Sequence, residues 1–189
     1  MNFQKVNIKL YAENEQPPAL EDFIPVFHNW IQNKAVEELL IDVADYRHVP
    51  GGPGVLLMGH EANYSVAFGP EERFGLTYQT KRFTGKSNTE IIRLAIAQAV
   101  KGANRLQNDE RLPALSFSPR EMILTINSRN EFRNHKAEFE ALLPVLQSVL
   151  RELLQSPDFL ISQIAGNSRE RLTVKIEILS LDGFSGVFN

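Results

Sequence analysis

Polar and apolar residues alternate from Phe3 to Tyr11, with Val6, Ile8 and Leu10 on one face and Lys5, Asn7 and Lys9 on the other. That period of two predicts a half-buried strand. Asn14 to Pro18 ends it, and Leu20, Phe23, Phe27, Trp30 and Ile31 then recur at helical spacing, with Pro25 tolerable only in the first turn. Apolar runs at Leu39 to Ala44 and Val55 to Met58 flank a Pro/Gly turn, and Arg73 to Arg82 reads as a third consecutive strand. The three predict a meander. Ser87 and Glu90 have the spacing of a capping box, opening a helix whose stripe is Ile92, Ala95, Ile96, Ala99, Ala103 and Leu106. Small residues on that stripe predict close packing on a sheet or another helix. Asn108, Asp109 and Pro113 mark its end, and Met122 to Ile126 reads as a further strand.

The second half of the chain then repeats the first. Phe139 to Leu150 aligns without gaps on Leu20 to Ile31, matching Glu21 with Glu140, Pro25 with Pro144 and Val26 with Val145. The same displacement lays the run at Leu39 over Asp158 to Ile164, and Val55 to Met58 over Val174 to Glu177. Strand, helix, strand, strand thus occurs twice, either by duplication or because two amphipathic helices look alike. Pro144 falls inside the second helical pattern, so that helix starts near it or kinks there. The expected fold is α+β: a largely antiparallel sheet of about seven strands with three helices on one face, in a single compact domain over residues 1–189. Pseudo-repeat halves 1–82 and 120–189 would be joined by the helix at 87–108.

Composition narrows the class. With 189 residues, 43% hydrophobic and 23% charged, the chain can build a substantial core without staples. It has no cysteine, which excludes disulfides and thiolate metal sites. The first ten residues lack the apolar block of a secretory signal, and no run nears the roughly 20 apolar residues of a membrane helix. A cytoplasmic protein without membrane contact is expected. A formal net charge of -3 gives no general attraction to nucleic acid, and basic residues cluster only briefly, at Lys81, Arg82 and Lys86.

Candidate chemistry concentrates between Asp42 and Glu61. If Asp45 pairs with Val55 across a hairpin, Asp42 faces Met58 and Leu40 faces His60, which places His60 about 15 to 20 Å from the turn carrying His48. A single metal site using Asp45, His48, His60 and Glu61 would then need a bulge or a folded-back loop. His60 and Glu61 otherwise simply end a strand. Nearer the turn, Asp45, Tyr46, Arg47 and His48 lie where polar side chains can converge on a ligand. His48 could serve as a general base oriented by Asp45. The structural alternative is that Asp45 caps the turn, Arg47 pairs with it, and the glycines supply positive φ angles. Gly51, Gly52, Pro53 and Gly54 do not make a phosphate cradle, since no Lys-Ser/Thr ending or helix follows them. His28 and His135 read as surface residues and Trp30 as core.

The phrase from Asp42 through Val55, continued by Gly59 to Ser65, by Gly75 to Tyr78 and by Arg169 to Val174, resembles a family of conserved hypothetical bacterial proteins over most of the chain. The resemblance implies no activity, cofactor or catalytic residue. The expectation is a non-catalytic binding or protein-interaction module, without a cofactor, that uses Tyr46, Arg47, His48, Gly51, Gly52 and Gly54, with a homodimer as one arrangement. The alternative is a hydrolase-type enzyme with a His48/Asp45 acid-base pair or a metal site that includes His60 and Glu61.

Overall fold

Eight strands make one antiparallel sheet in the computed structural model, which describes residues 5–69, 72–81, 83, 85–128, 132–154, 158–167 and 169–179. The strands are β1 (Val6–Ala12), β2 (Leu40–Tyr46), β3 (Gly54–Gly59), β4 (Ala62–Phe68), β5 (Phe74–Thr80), β6 (Phe117–Ile126), β7 (Phe159–Gln163) and β8 (Thr173–Ile178). Across the sheet they run β2-β3-β4-β5-β1-β6-β8-β7, so β1 and β6 lie side by side and β2 and β7 form the edges. Three helices complete the fold: α1 (Phe23–Gln32), preceded by a 3₁₀ turn at Leu20–Asp22, α2 (Asn88–Gln107) and α3 (Lys136–Leu154). Arg82, part of the expected strand and basic cluster, lies outside the described residues, as do residues 1–4 and 180–189 of the expected halves.

Alternation decides which face is covered. Val6, Ile8 and Leu10 of β1, Leu76 and Tyr78 of β5, and Met122, Leu124 and Ile126 of β6 are buried, while Asn7, Lys9, Thr77 and Thr125 on the other face are not. All three helices pack on the buried side. α2 lies over β1, β5 and β6 with Ala95, Ala99, Gly102 and Ala103 buried, the close approach its small-residue stripe predicts. α1 lies over β2 and β3, and α3 over β7 and against α2. Pro25 occupies the third position of α1, where its missing N–H leaves no helical bond unmade. The capping box forms: the Ser87 hydroxyl accepts from the Glu90 amide, and the Ser87 amide donates to the Glu90 carboxylate at 2.8 Å.

Three features differ from expectation. The meander has four strands, because Ala62–Phe68 pairs on both sides. The β3–β4 link is only His60 and Glu61, neither at positive φ, so the Asn-Gly signature of a tight hairpin is missing. Second, Asp45 faces Val55 and Asp42 faces Met58 as expected, but Leu40 faces Gly59 and not His60. A bulge between Leu40 and Asp42 absorbs one residue. Third, α3 begins eight positions before Pro144, which sits inside the helix and leaves the Glu140 carbonyl without its usual donor. The order strand, helix, strand, strand recurs in β1-α1-β2-β3 and β6-α3-β7-β8, but in the sheet the β4–β5 hairpin separates β3 from β1.

Candidate functional site

The turn after β2 is tied together by its own residues. Asp45 accepts from the Arg47 backbone amide at 3.0 Å and from the Arg47 guanidinium at 2.8 to 3.0 Å, and Arg47 reaches across to Glu21 at 2.7 Å. The Arg47 hydrogen bonds draw the Asp45 carboxyl down to about 2. Arg47 therefore pins the turn to the start of α1. Among the described residues no hydrogen bond joins Asp45 to His48, whose side chain is exposed. Gly51 and Gly54 take the positive φ angles anticipated for them, and Tyr46 pairs with Gly54 across the turn. Tyr46 and Val49 are both 40% exposed and project apolar surface beside the loop.

His60 and Glu61 sit at the β3–β4 tip, at the far end of the hairpin from this turn, as the ladder predicts. Among the described residues no three His, Cys, Asp or Glu side chains come together as a metal site. Glu61 instead joins a cluster that the sequence did not reveal. Glu38, from the connection between α1 and β2, turns its carboxylate onto this tip, with one oxygen 3.2 Å from the position a Gly59 Cβ would take. Both Glu38 oxygens are buried. The Tyr64 hydroxyl, fully buried, lies against them. Burial raises the Glu38 carboxyl above the ordinary range and Glu61 adds to this, while hydrogen bonding to the Tyr64 hydroxyl and the Ala62 amide and the charge of Lys81 oppose it. Burial likewise pushes the Tyr64 and Tyr78 phenols well up. Lys81 is anchored by donating to the Gly59 carbonyl.

The tyrosines are held by packing. Tyr64 and Tyr78 face each other on β4 and β5 with ring centroids 4.9 Å apart, and Trp30 meets Tyr64 edge-on at 5.6 Å. On α2, Gly102 makes room, because a Cβ there would come within 2.8 Å of the Tyr64 ring. Above them runs a groove of about 720 Å³ between α1, the connection after it, and α2. Asn29, Asn33, Gln98, Asn104, Lys101 and Arg105 are among its walls. A smaller pocket of about 190 Å³, bounded by Glu38, Glu61, Tyr78 and Phe83, shares Glu37 and Gln98 with it. The two are adjoining parts of one depression.

His28 and His135 are exposed and Trp30 is 2% exposed, in line with their sequence patterns. Glu38 and Arg105 carry no local motif, but the alternation of Ala62, Tyr64 and Val66 would have turned Tyr64 inward. No protein-family model matches the chain, and no curated protein matches it. Among the described residues no helix is long and apolar enough to cross a membrane.

Proposed function

We propose that this protein is a non-catalytic binding module, working in the cytoplasm, whose ligand is a polar small molecule held in the groove between α1 and α2. The observation that carries this reading is the groove's lining. Asn29, Asn33, Gln98 and Asn104 offer amides that both donate and accept hydrogen bonds, while Lys101 and Arg105 supply cations without an ion-pair partner among the described residues. Amides do not titrate near neutral pH, so such a wall suits recognition better than proton transfer. Asp45 is engaged by Arg47, which weakens the case for an acid-base pair with His48. An NMR screen of polar fragments tests the groove: saturable shifts should map to Asn33, Gln98 and Asn104. Hits confined to the 45–54 turn, or none at all, would overturn the assignment.

A second reading, a protein-interaction surface along β2 and its turn, draws support from Leu39 and Ile41, 68% and 55% exposed, and from Tyr46 and Val49. This edge would join two copies of the chain. Sedimentation at rising concentration should then show dimers that Ile41→Lys abolishes, and a monomer at every concentration refutes it. Duplication of a strand-helix-strand-strand unit is our reading of the repeat. It is supported by β7 and β8, which begin at the same displacement from β2 and β3.

A further inference from the structure

We propose that the free edge of β7 pairs with the same edge of a second copy of the chain, joining two sheets into one. This goes beyond the groove reading and does not depend on it. β7 and β8 pair without a register shift, from Phe159 opposite Ile178 to Gln163 opposite Val174. At the two ends of that ladder the Leu179 amide donates to the Asp158 carbonyl and the Ile164 amide to the Thr173 carbonyl. Antiparallel bonds alternate along a strand, so Leu160 and Ser162 turn their backbone groups toward β8, while Phe159, Ile161 and Gln163 turn theirs to the open edge. Among the described residues no backbone bond reaches them there. Edges are ordinarily blunted by charges, proline or bulges. β2, the opposite edge, has such devices: Asp42 and Asp45, a bulge between Leu40 and Asp42, and a Val43 amide that donates to the Asp42 carboxylate at 2.8 Å. β7 has no charge, no proline and no bulge. Self-complementarity names the occupant. A two-fold axis at Ile161 sets Phe159 opposite Gln163 and Leu160 opposite Ser162, so each outward amide meets an outward carbonyl. A pairing shifted by one residue would set Ile161 opposite Ser162, whose groups point the other way. With no charge in the strand, none opposes its like when the strand faces itself. Phe159 and Ile161 pack on the core yet stay partly exposed, and Leu160 is 55% exposed, so a second copy removes apolar surface from water on both faces of the sheet.

Sedimentation equilibrium of the full chain at rising concentration should show dimers, and two pairs of substitutions test the register. Leu160→Lys with Ser162→Lys sets like charges directly opposite on both sides of the axis and should weaken the dimer about tenfold or more. Leu160→Lys with Ser162→Glu sets opposite charges there and should keep its affinity within about threefold of wild type. Both positions are exposed, and Trp30 fluorescence establishes that each variant is folded. Ile41→Lys, on the other edge, should leave the dimer unchanged. Hydrogen exchange at the Phe159, Ile161 and Gln163 amides should slow as concentration rises, while Leu160 and Ser162, already bonded to β8, should not respond. A monomer at every concentration, equal effects of the two pairs, or exchange at Ile161 that is indifferent to concentration overturns the proposal. Dimers lost with Ile41→Lys but not with the paired lysines would overturn it as well, and assign the contact to β2.

Discussion

Gly51 and Gly54 flank the same turn at nearly the same backbone angle, φ +67° and +65°, yet their surroundings differ. A Cβ on Gly51 would meet nothing within 4 Å, whereas one on Gly54 would overlap the Val66 carbonyl oxygen and crowd Ala67 at 3.1 Å. Alanine at either site bears the left-handed cost of roughly 1 kcal/mol. The unfolded-state effect of replacing glycine is common to both. Only Gly54→Ala must also push β4 away from β3, an overpacking cost of about 1–3 kcal/mol. Gly51→Ala should therefore lose about 1 kcal/mol and Gly54→Ala about 3 kcal/mol. Trp30, the single tryptophan, is buried against Phe27 and Tyr64 and reports unfolding in urea by its fluorescence. Losses equal within about 0.5 kcal/mol would show that φ alone sets the demand for glycine and that contact with β4 does not matter.

Tyr64→Phe removes the hydroxyl that lies against the buried Glu38 carboxylate, so urea denaturation should show a loss of about 1 kcal/mol. A gain of that size would mean that the hydroxyl has no partner in solution. Burial raises the folded pKa of Glu38 above its unfolded value, so the native state holds this proton more tightly. The wild type therefore loses stability as pH rises from the ordinary glutamate range through the raised folded value, and Glu38→Gln lacks that loss. The stability of the variant relative to wild type should increase between pH 4 and pH 8; a flat difference refutes the assignment. For Asp45, carboxyl-carbon NMR should find a midpoint near 2, moving up toward the usual range in Arg47→Ala. An unchanged midpoint in that variant would show that Arg47 is not the cause.

Periodicity made β1, α1 and α2 readable, because burial follows the period that the backbone imposes, while apolar runs marked β2 and β3 and the alignment on the first half marked α3, β7 and β8. The strand that escaped, β4, does alternate Ala62, Tyr64 and Val66 with Asn63 and Ser65, but it is entered through His60 and Glu61, so no turn signature separates it from β3. The bulge beside Ile41 was also silent, and it shifted the partner of Leu40 by one residue. The turn residues were conspicuous in sequence because Pro, Gly, His and Arg are chemically distinctive. In the fold, Asp45, Arg47 and Glu21 are occupied with one another. Glu38 was inconspicuous because its character comes from burial against Gly59 and Tyr64, residues more than twenty positions away.

The groove follows from the way the two halves differ. In the second, β6, β8 and β7 are direct neighbours, and α3 over β7 also packs against α2. In the first, the β4–β5 hairpin sits between β3 and β1, widening the sheet by two strands of about 4.8 Å each. That extra width, about 10 Å, is close to the 8–10 Å separation of two packed helices. α1 therefore rests over β2 and β3 while α2 stays over β5, β1 and β6, and the strip above β4 lacks a helix of its own. Large aromatic side chains fill the floor of that strip: Tyr64 and Tyr78 from the additional hairpin and Trp30 from α1, with Gly102 yielding space on α2. The rest of the gap stays open as the groove, and the connection from α1 to β2 must cross its end, which is how Glu38 comes to be buried there. The same two strands that set α1 apart from α2 thus supply both the opening and the tyrosines beneath it, so the binding surface and the departure from the repeat have one structural cause.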